Sequence, residues 1–138
     1  SKDVGMVHSN IINYINNYDV PFKKPCILLS GGETTVSIKG KGKGGRNSEF
    51  LLSALCALSS NKNIYGLAAD TDGKDGSENN AGVFFNPTTI KNAKVKGFFP
   101  EKFLNNNDSY SFFSELNQLI ITGHTNTNVN DFRSFIIT

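Results

Sequence analysis

Residues 30–47 combine several groups that could bind and position an anionic small molecule. This stretch reads S-G-G-E-T-T-V-S-I-K-G-K-G-K-G-G-R-N, with an apolar run before it and a helical pattern after it. Glycine lets backbone N–H groups approach a ligand closely, and the N-terminus of a helix attracts anions. The stretch therefore predicts a site for a phosphorylated or carboxylated small molecule, with backbone contacts from Gly31, Gly32, Gly44 and Gly45.

Arg46 and Glu33 are the candidate catalytic side chains of this stretch. Arg46 stands at the expected entrance of a helix, where its guanidinium could hold a carboxylate or phosphate through two hydrogen bonds. Glu33 could orient Arg46 or a substrate hydroxyl. The simpler alternatives are an ion pair between Arg46 and Glu49 or another acid, a turn role for Glu33, and a flexible basic loop without a ligand.

The glycines of the same stretch also satisfy the dinucleotide-binding pattern G-x-G-x-x-G. Gly40–Gly45 lies between a predicted strand and a predicted helix, and Asp70 ends the next strand. The preceding run, Thr34–Ile38, is polar and resembles the second arm of a hairpin, which weakens this interpretation. A P-loop is missed narrowly, because Arg46-Asn47 replaces the Lys-Ser/Thr pair. A reductase that uses NAD(P)H remains an alternative on this evidence.

Two further polar loops follow apolar runs. Residues 70–80 contain Asp72 and Asp75, whose spacing fails for a calcium loop but is compatible with Mg²⁺ held by carboxylates and nucleotide phosphates. Residues 123–131 contain Thr125, Thr127 and Asn128, which offer neutral donors and acceptors to a polyol or to phosphate oxygens. The alternatives are an Asx-rich turn in the first loop and a self-capped loop in the second.

The composition limits the function classes. A length of 138 residues fits one domain, and a net charge of +2 is too small to indicate nucleic-acid binding. Apolar runs are only a few residues long and no secretory signal is visible, so neither a membrane span nor secretion is predicted, and a cytoplasmic location is expected.

The spacing of apolar residues predicts the helices and strands that position these loops. An apolar stripe predicts a first helix over residues 4–18, and later patterns predict helices near 47–59, 87–94, 100–105 and from 108. Strands are predicted over 26–30, 34–38, 64–69, 81–85, 119–122 and 132–138, with Gly31-Gly32 as a turn between the first two. This alternation predicts a single layered α/β domain with a mixed, partly parallel sheet flanked by helices. In such sheets ligands collect where strands end.

Five motifs in order give the sequence a family resemblance: G-G-E-T-T-V, G-x-G-G-R-N-x-E-F, T-D-G-x-D-G, N-D-S-Y-x-F-F and T-G-x-T-x-T-N-V-N-D. Residues 25–138 resemble the MOFRL domain, the C-terminal domain of the class II glycerate 2-kinases. Many members of that family carry hydroxypyruvate reductase as a provisional name. Residues 1–24 would then be a leading helix and linker. One departure is His124, where the family usually has proline.

The resemblance implies transfer of phosphate from ATP, with Mg²⁺, to the 2-hydroxyl of D-glycerate. In the family the site lies in a cleft against a larger N-terminal Rossmann-like domain, which is absent from this sequence and would be its partner. By matching position, Arg46 would touch substrate, supported by Glu33, Asn47 and Glu49. Asp72 and Asp75 would line the metal or nucleotide side, and the binding residues of the last motif would complete the cleft: Thr125, Thr127 and Asn128.

The resemblance leaves open how this chain arises. It would be an excised domain, the product of a split gene, or a non-catalytic remnant. In the last case an apolar surface left by the missing domain would mediate self-association into a homo-oligomer.

Overall fold

The computed structural model describes all residues, 1–138. The chain forms five helices and five strands, joined by irregular segments. The helices are α1 (Lys2–Tyr18), α2 (Arg46–Ala57), α3 (Thr89–Val95), α4 (Pro100–Asn105) and α5 (Ser109–Glu115). The strands are β1 (Cys26–Gly32), β2 (Ile64–Asp70), β3 (Gly82–Phe85), β4 (Leu119–Ile120) and β5 (Asp131–Ile137). None of the helices has both the length and the apolar composition that crossing a membrane requires.

The five strands form one sheet in the order β1-β5-β2-β3-β4, and every neighbouring pair is antiparallel. The predicted single α/β domain is confirmed, but the partly parallel sheet is wrong. The crossover through α2 does make β1 and β2 run in the same direction. They are not neighbours, however, because β5 lies between them and is antiparallel to both.

The predicted hairpin at residues 26–38 is also wrong. Gly31 and Gly32 do not form a turn; they extend β1 and lie opposite Phe132 and Asp131 of β5. Residues 33–44 then run as an irregular segment outside the sheet. The β-branched run 34–38 is held by the chain start and by the turn between α4 and α5 rather than by a neighbouring strand.

The helices cover one face of the sheet. Strands β2 and β5 alternate between buried and exposed side chains, and the exposed positions include Tyr65, Phe132 and Ile136. The opposite, helix-facing positions join α1, α2 and α5 in one core. Its largest enclosed side chains are Phe50, Phe85, Phe112, Phe113 and Phe135.

The apolar stripe that predicts the first helix consists of Val4, Val7, Ile11, Ile15 and Tyr18, and only part of it faces the core. Ile12 and Ile15 are fully buried, whereas Val7, Ile11 and Tyr18 remain 56%, 39% and 65% exposed.

The reason is close contact between α1 and α2. A Cβ placed on Gly5 would lie 2.4 Å from the carbonyl oxygen of Phe50, and the Ser9 hydroxyl donates to the carbonyl of Ala54 at 2.8 Å. Small residues, rather than the largest apolar ones, therefore decide which flank of α1 faces the core. This packing fixes α2, whose N-terminus carries the candidate site.

Candidate functional site

Arg46 lies at the start of α2, where it is surrounded by three carboxylates. Its Nε donates to Asp131 at 2.8 Å, one terminal nitrogen to Glu33 at 2.8 Å, and the other to Asp70 at 2.5 Å. The sheet register brings these acids together, because Asp131 pairs with Asp70 on one side and with Gly32, the neighbour of Glu33, on the other. The predicted contact between Glu33 and Arg46 is thus present.

A second ion pair lies beneath the first. Asp131, buried in the protein, also accepts hydrogen bonds from the Asn47 amide at 2.8 Å and from Arg133 at 2.5 Å. The Arg133 guanidinium lies 4.7 Å from the centre of the Phe50 ring. Asp131 therefore bridges two arginines and connects the site to the core.

The electrostatics keep Arg46 charged. Burial alone would lower the pKa of Arg46, but the hydrogen bond and charge of Asp131, with the charges of Asp70 and Glu33, outweigh burial and raise it. A guanidinium carries five N–H donors, of which three are used here. Arg46 is thus a fixed cation with two donors left, and its side chain is 23% exposed.

Asp75 caps the backbone at the start of α2. Its carboxylate accepts hydrogen bonds from the backbone N–H of Asn47 at 2.9 Å and of Ser48 at 2.8 Å, and from the Ser48 hydroxyl at 2.7 Å. Burial raises the pKa of Asp75, while these hydrogen bonds oppose the rise. The N–H of Gly45 donates to the Ser48 hydroxyl. The backbone N–H groups of Gly44 and Arg46 donate to nothing in the protein, and they remain available at the helix end.

The glycine-rich loop binds another part of the protein rather than presenting its full length to a ligand. The N–H groups of Lys39 and Gly40 both donate to the Asn107 side chain at 2.8 Å, and those of Gly42 and Lys43 donate to residues 106 and 108. A Cβ on Gly40 would lie 2.1 Å from the carbonyl oxygen of Asn106. The loop is glycine-rich because it must approach the turn between α4 and α5. It also lacks the preceding strand that a dinucleotide-binding fingerprint requires.

A cavity of about 740 Å³ opens in front of the α2 N-terminus. Its charged lining residues are four acids and two bases, so the lining carries a formal charge of −2: Glu33, Glu49, Asp70, Asp72, Arg46 and Lys74. Gly44, Gly45 and Asn128 also line it, whereas Gly31, Gly32, Asn47 and Asp75 do not. An acidic lining around one fixed arginine favours an anionic ligand that brings a divalent cation with it.

The two predicted metal ligands lie in different surroundings. Asp72 lines the cavity, and one of its oxygens accepts the backbone N–H of Lys74 at 2.8 Å while the other is free. Asp75 is buried behind the helix end, so a metal role for it stays a prediction that its observed contacts do not favour. No three His, Cys, Asp or Glu side chains converge into a metal centre. One free carboxylate oxygen is still compatible with Mg²⁺ that arrives on phosphates and keeps several waters.

Residues 123–131 pack against the loop that contains Asp72. The Thr125 hydroxyl donates to the carbonyl of Thr71 at 2.5 Å, and its N–H donates to the carbonyl of Asp72 at 3.2 Å. The N–H of Thr127 donates to the Thr125 hydroxyl at 3.4 Å. Thr125 and Thr127 therefore join two loops, and of the three predicted binding residues only Asn128 lines the cavity.

Sequence reasoning assigned no site role to Asp131, Arg133 or Asn107. The available signal was weak: Asp131 ends the last motif, and Asn107 belongs to N-D-S-Y, which is most simply a helix cap. Asp131 contacts Arg46, 85 positions away, and Asn107 contacts Glu49, 58 positions away, which local patterns do not reveal. Arg133 acts through Asp131, its ion-pair partner two residues before it.

Known proteins of similar sequence include two from bacteria. A protein of Agrobacterium vitis provisionally named hydroxypyruvate reductase is 44% identical over 139 residues, covering 99% of this chain and 36% of the relative. The D-glycerate 2-kinase of Thermotoga maritima is 42% identical over 131 residues, covering 95% of this chain and 31% of the relative. The chain thus spans about a third of the length of these relatives.

Two solved structures share this fold. The crystal structure of a glycerate kinase from Thermotoga maritima superposes with a TM-score of 0.93 at 41% identity, covering 99% of this chain and 33% of that one. A structure from Pyrococcus horikoshii gives 0.92, also at 41% identity, with 99% and 31% covered. The sequence profile of the MOFRL family matches residues 26–131. The chain therefore belongs to the MOFRL family.

Proposed function

We propose that this chain is the MOFRL domain of a glycerate 2-kinase. It would form one wall of a site in which a phosphoryl group passes from ATP to the 2-hydroxyl of D-glycerate. The proposal is supported by relatives from Thermotoga maritima and Pyrococcus horikoshii that are named glycerate 2-kinases. The observation that carries it is the convergence of Arg46, a free carboxylate oxygen of Asp72 and the unpaired N–H groups of the α2 N-terminus on one cavity.

Phosphoryl transfer needs positioning and charge neutralisation more than covalent chemistry from side chains. The two unused donors of Arg46 can hold a carboxylate or phosphate, and the backbone N–H groups of Gly44 and Arg46 can bind a second anionic oxygen. Glu33 keeps Arg46 in place, and its other oxygen accepts no hydrogen bond in the protein. Asp72 would hold Mg²⁺, which neutralises phosphate charge when bound.

The rest of the site would come from another domain. Because the chain spans about a third of its relatives, we assign the remaining contacts to a larger N-terminal Rossmann-like domain or subunit. Hydroxypyruvate reduction is the alternative raised by the name of the Agrobacterium vitis relative. No feature of the cavity favours it, since the N–H groups of Gly40 and Gly42 are already occupied by the turn at residues 106–108.

A chimeric enzyme tests the proposal. The corresponding third of the Thermotoga maritima glycerate kinase is replaced by this chain, and ADP formation is measured with D-glycerate and Mg·ATP. Arg46→Ala should reduce kcat/KM by about a hundredfold, or about 2.7 kcal/mol, and Lys94→Ala on the exposed side of α3 should leave it unchanged. A loss below about tenfold would remove Arg46 from the proposed machinery.

The same chimera separates the alternatives. NADH oxidation with hydroxypyruvate, without ADP formation, would establish the reductase instead. A folded chimera that performs neither reaction would indicate a non-catalytic domain.

A further inference from the structure

Glu49 is a buried carboxylate with one oxygen left unpaired. It lies in the first turn of α2 and is 5% exposed. One oxygen, Oε2, accepts a hydrogen bond from the Asn107 amide at 2.8 Å. The other, Oε1, accepts none, and Glu49 forms no salt bridge.

The position of Glu49 directs the free oxygen toward open space. Glu49 lines the main cavity and also a smaller one of about 270 Å³, and Thr35 and Asn107 belong to both linings. Oε1 is not among the fully enclosed polar atoms that lack a partner. The little exposure that Glu49 retains is therefore exposure to these two cavities.

Asn107 holds this carboxylate in a fixed orientation. Its backbone is left-handed, with φ of 53°, a conformation that asparagine tolerates better than most residues. Its side-chain oxygen accepts the N–H groups of Lys39 and Gly40, while its amide donates to Glu49. The amide therefore has little freedom to move, and Glu49 is oriented before any ligand arrives.

The surroundings of Glu49 indicate which kind of group would pair with its Oε1. A carboxylate that is almost completely buried has lost most of its hydration, and Oε1 can gain a hydrogen bond only from a group that enters the cavities it faces. No second or third acid converges with Glu49 into a metal centre, and Arg46 donates to three other carboxylates. A neutral O–H donor on a ligand satisfies the oxygen without bringing further ligands or charge.

We propose that Oε1 of Glu49 accepts a hydrogen bond from a hydroxyl group of the substrate in the main cavity. Glu49 then determines specificity for hydroxylated carboxylic acids over their deoxy analogues. A site built to bind a hydroxyl rejects analogues that lack it, because its own polar group is left unpaired. The proposal deepens the proposed kinase function and rests on it for the identity of the substrate.

The test measures binding and catalysis separately in the chimera. Glycerate, lactate and 3-hydroxypropanoate are titrated without nucleotide. Lactate lacks the 3-hydroxyl of glycerate, and 3-hydroxypropanoate lacks the 2-hydroxyl. Glu49→Gln keeps the size of the side chain and an oxygen for Asn107, but it presents N–H donors in place of Oε1. Glu101→Gln, on the exposed side of α4, is the matched control. Circular dichroism and urea unfolding establish that each variant is folded.

We expect Glu49→Gln to weaken glycerate binding between about tenfold and a hundredfold, or about 1.4 to 2.7 kcal/mol. Binding of the analogue that lacks the recognised hydroxyl should already be weak and should not change further. Equal weakening of all three ligands, or no discrimination among them by the unsubstituted chimera, would overturn the inference. A response of the titration to Mg²⁺ alone that disappears in Glu49→Gln would also overturn it, in favour of a metal ligand.

The same experiments test the proposed kinase function separately from the role of Glu49. Hydroxyl-dependent binding without ADP formation would refute the kinase assignment and leave the role of Glu49 intact. ADP formation that is insensitive to Glu49→Gln would refute the role of Glu49 and leave the kinase assignment intact.

Discussion

Replacing Asp131 should destabilise the domain more than replacing any surface acid. Its side chain is completely buried and accepts hydrogen bonds from Arg46, Asn47 and Arg133. Asp131→Ala removes all three acceptor contacts at once. It also leaves Arg133, whose side chain is 3% exposed, as a buried cation with no carboxylate partner.

The cost of Asp131→Ala comes from its three lost contacts. All three lost hydrogen bonds end on a charged carboxylate, and such bonds are worth about 1.5–3 kcal/mol each. Arg46 keeps Glu33 and Asp70 and is partly exposed, so its share is reduced. A net cost of about 3–5 kcal/mol is expected, which matches the cost of breaking a buried ion pair from one side.

Urea unfolding followed by circular dichroism is the assay. With a denaturant slope of about 2 kcal/mol per molar urea, the midpoint should fall by about 2 M. Glu115→Ala is the control, since its pair with Lys96 is exposed at both ends and should cost less than about 1 kcal/mol. Combining Asp131→Ala with Arg133→Met removes the stranded charge. The free energy of unfolding of the double variant should therefore exceed the value expected from adding the two single effects by at least about 1.5 kcal/mol. Additive effects, or a single cost below about 1 kcal/mol, would refute the proposed coupling.

Three other predictions concern stability. Gly40→Ala should lower the free energy of unfolding more than Gly97→Ala, and urea midpoints compare the two. A Cβ on Gly97 would have no neighbour within 4 Å, so that variant costs only the left-handed backbone strain of φ 73°, about 1–2 kcal/mol, whereas a Cβ on Gly40 would lie 2.1 Å from backbone and force the loop away from Asn106. Asp75→Asn should cost about 2–3 kcal/mol by weakening the cap of α2, with a reduced urea midpoint as the readout. Burial, with a smaller contribution from Glu101, raises the pKa of the Cys56 thiol from 9.0 to about 12. The unfolded chain then loses this proton first, so stability should fall by about 1.4 kcal/mol per pH unit between these two values, and Cys56→Ala should abolish that component.

The elements of the fold were largely predictable because their apolar periods are strong. The helices near 100–105 and 108 and the strands near 64–69 and 81–85 lie where the sequence predicted them. The order of the strands was not predictable, because nothing local indicates that β5 inserts between β1 and β2. The run at Thr34–Ile38 has strand composition but no neighbour to pair with, so tertiary context overrides its propensity.

The site was predicted in part. Arg46 and Glu33 do meet, and Asp72 does face the cavity, since each lies at the end of an element that local patterns locate. The glycine pattern was assigned to a ligand, although most of it approaches the turn at residues 106–108. A glycine that accommodates a ligand and one that accommodates neighbouring backbone leave the same mark on a sequence.

The motifs that identify the family contain two kinds of residue. Some form contacts within the protein, and others keep polar atoms free at the cavity. N-D-S-Y fixes the glycine loop through Asn107 and Asp108, and T-D-G-x-D-G fixes α2 through Asp75. Neither contact needs a ligand. The groups left unpaired at the cavity include two donors of Arg46, two backbone N–H groups, and one oxygen each of Glu33, Asp72 and Glu49. Substitutions of these groups should change ligand binding, while substitutions of the motif residues that bond within the protein should act first on stability.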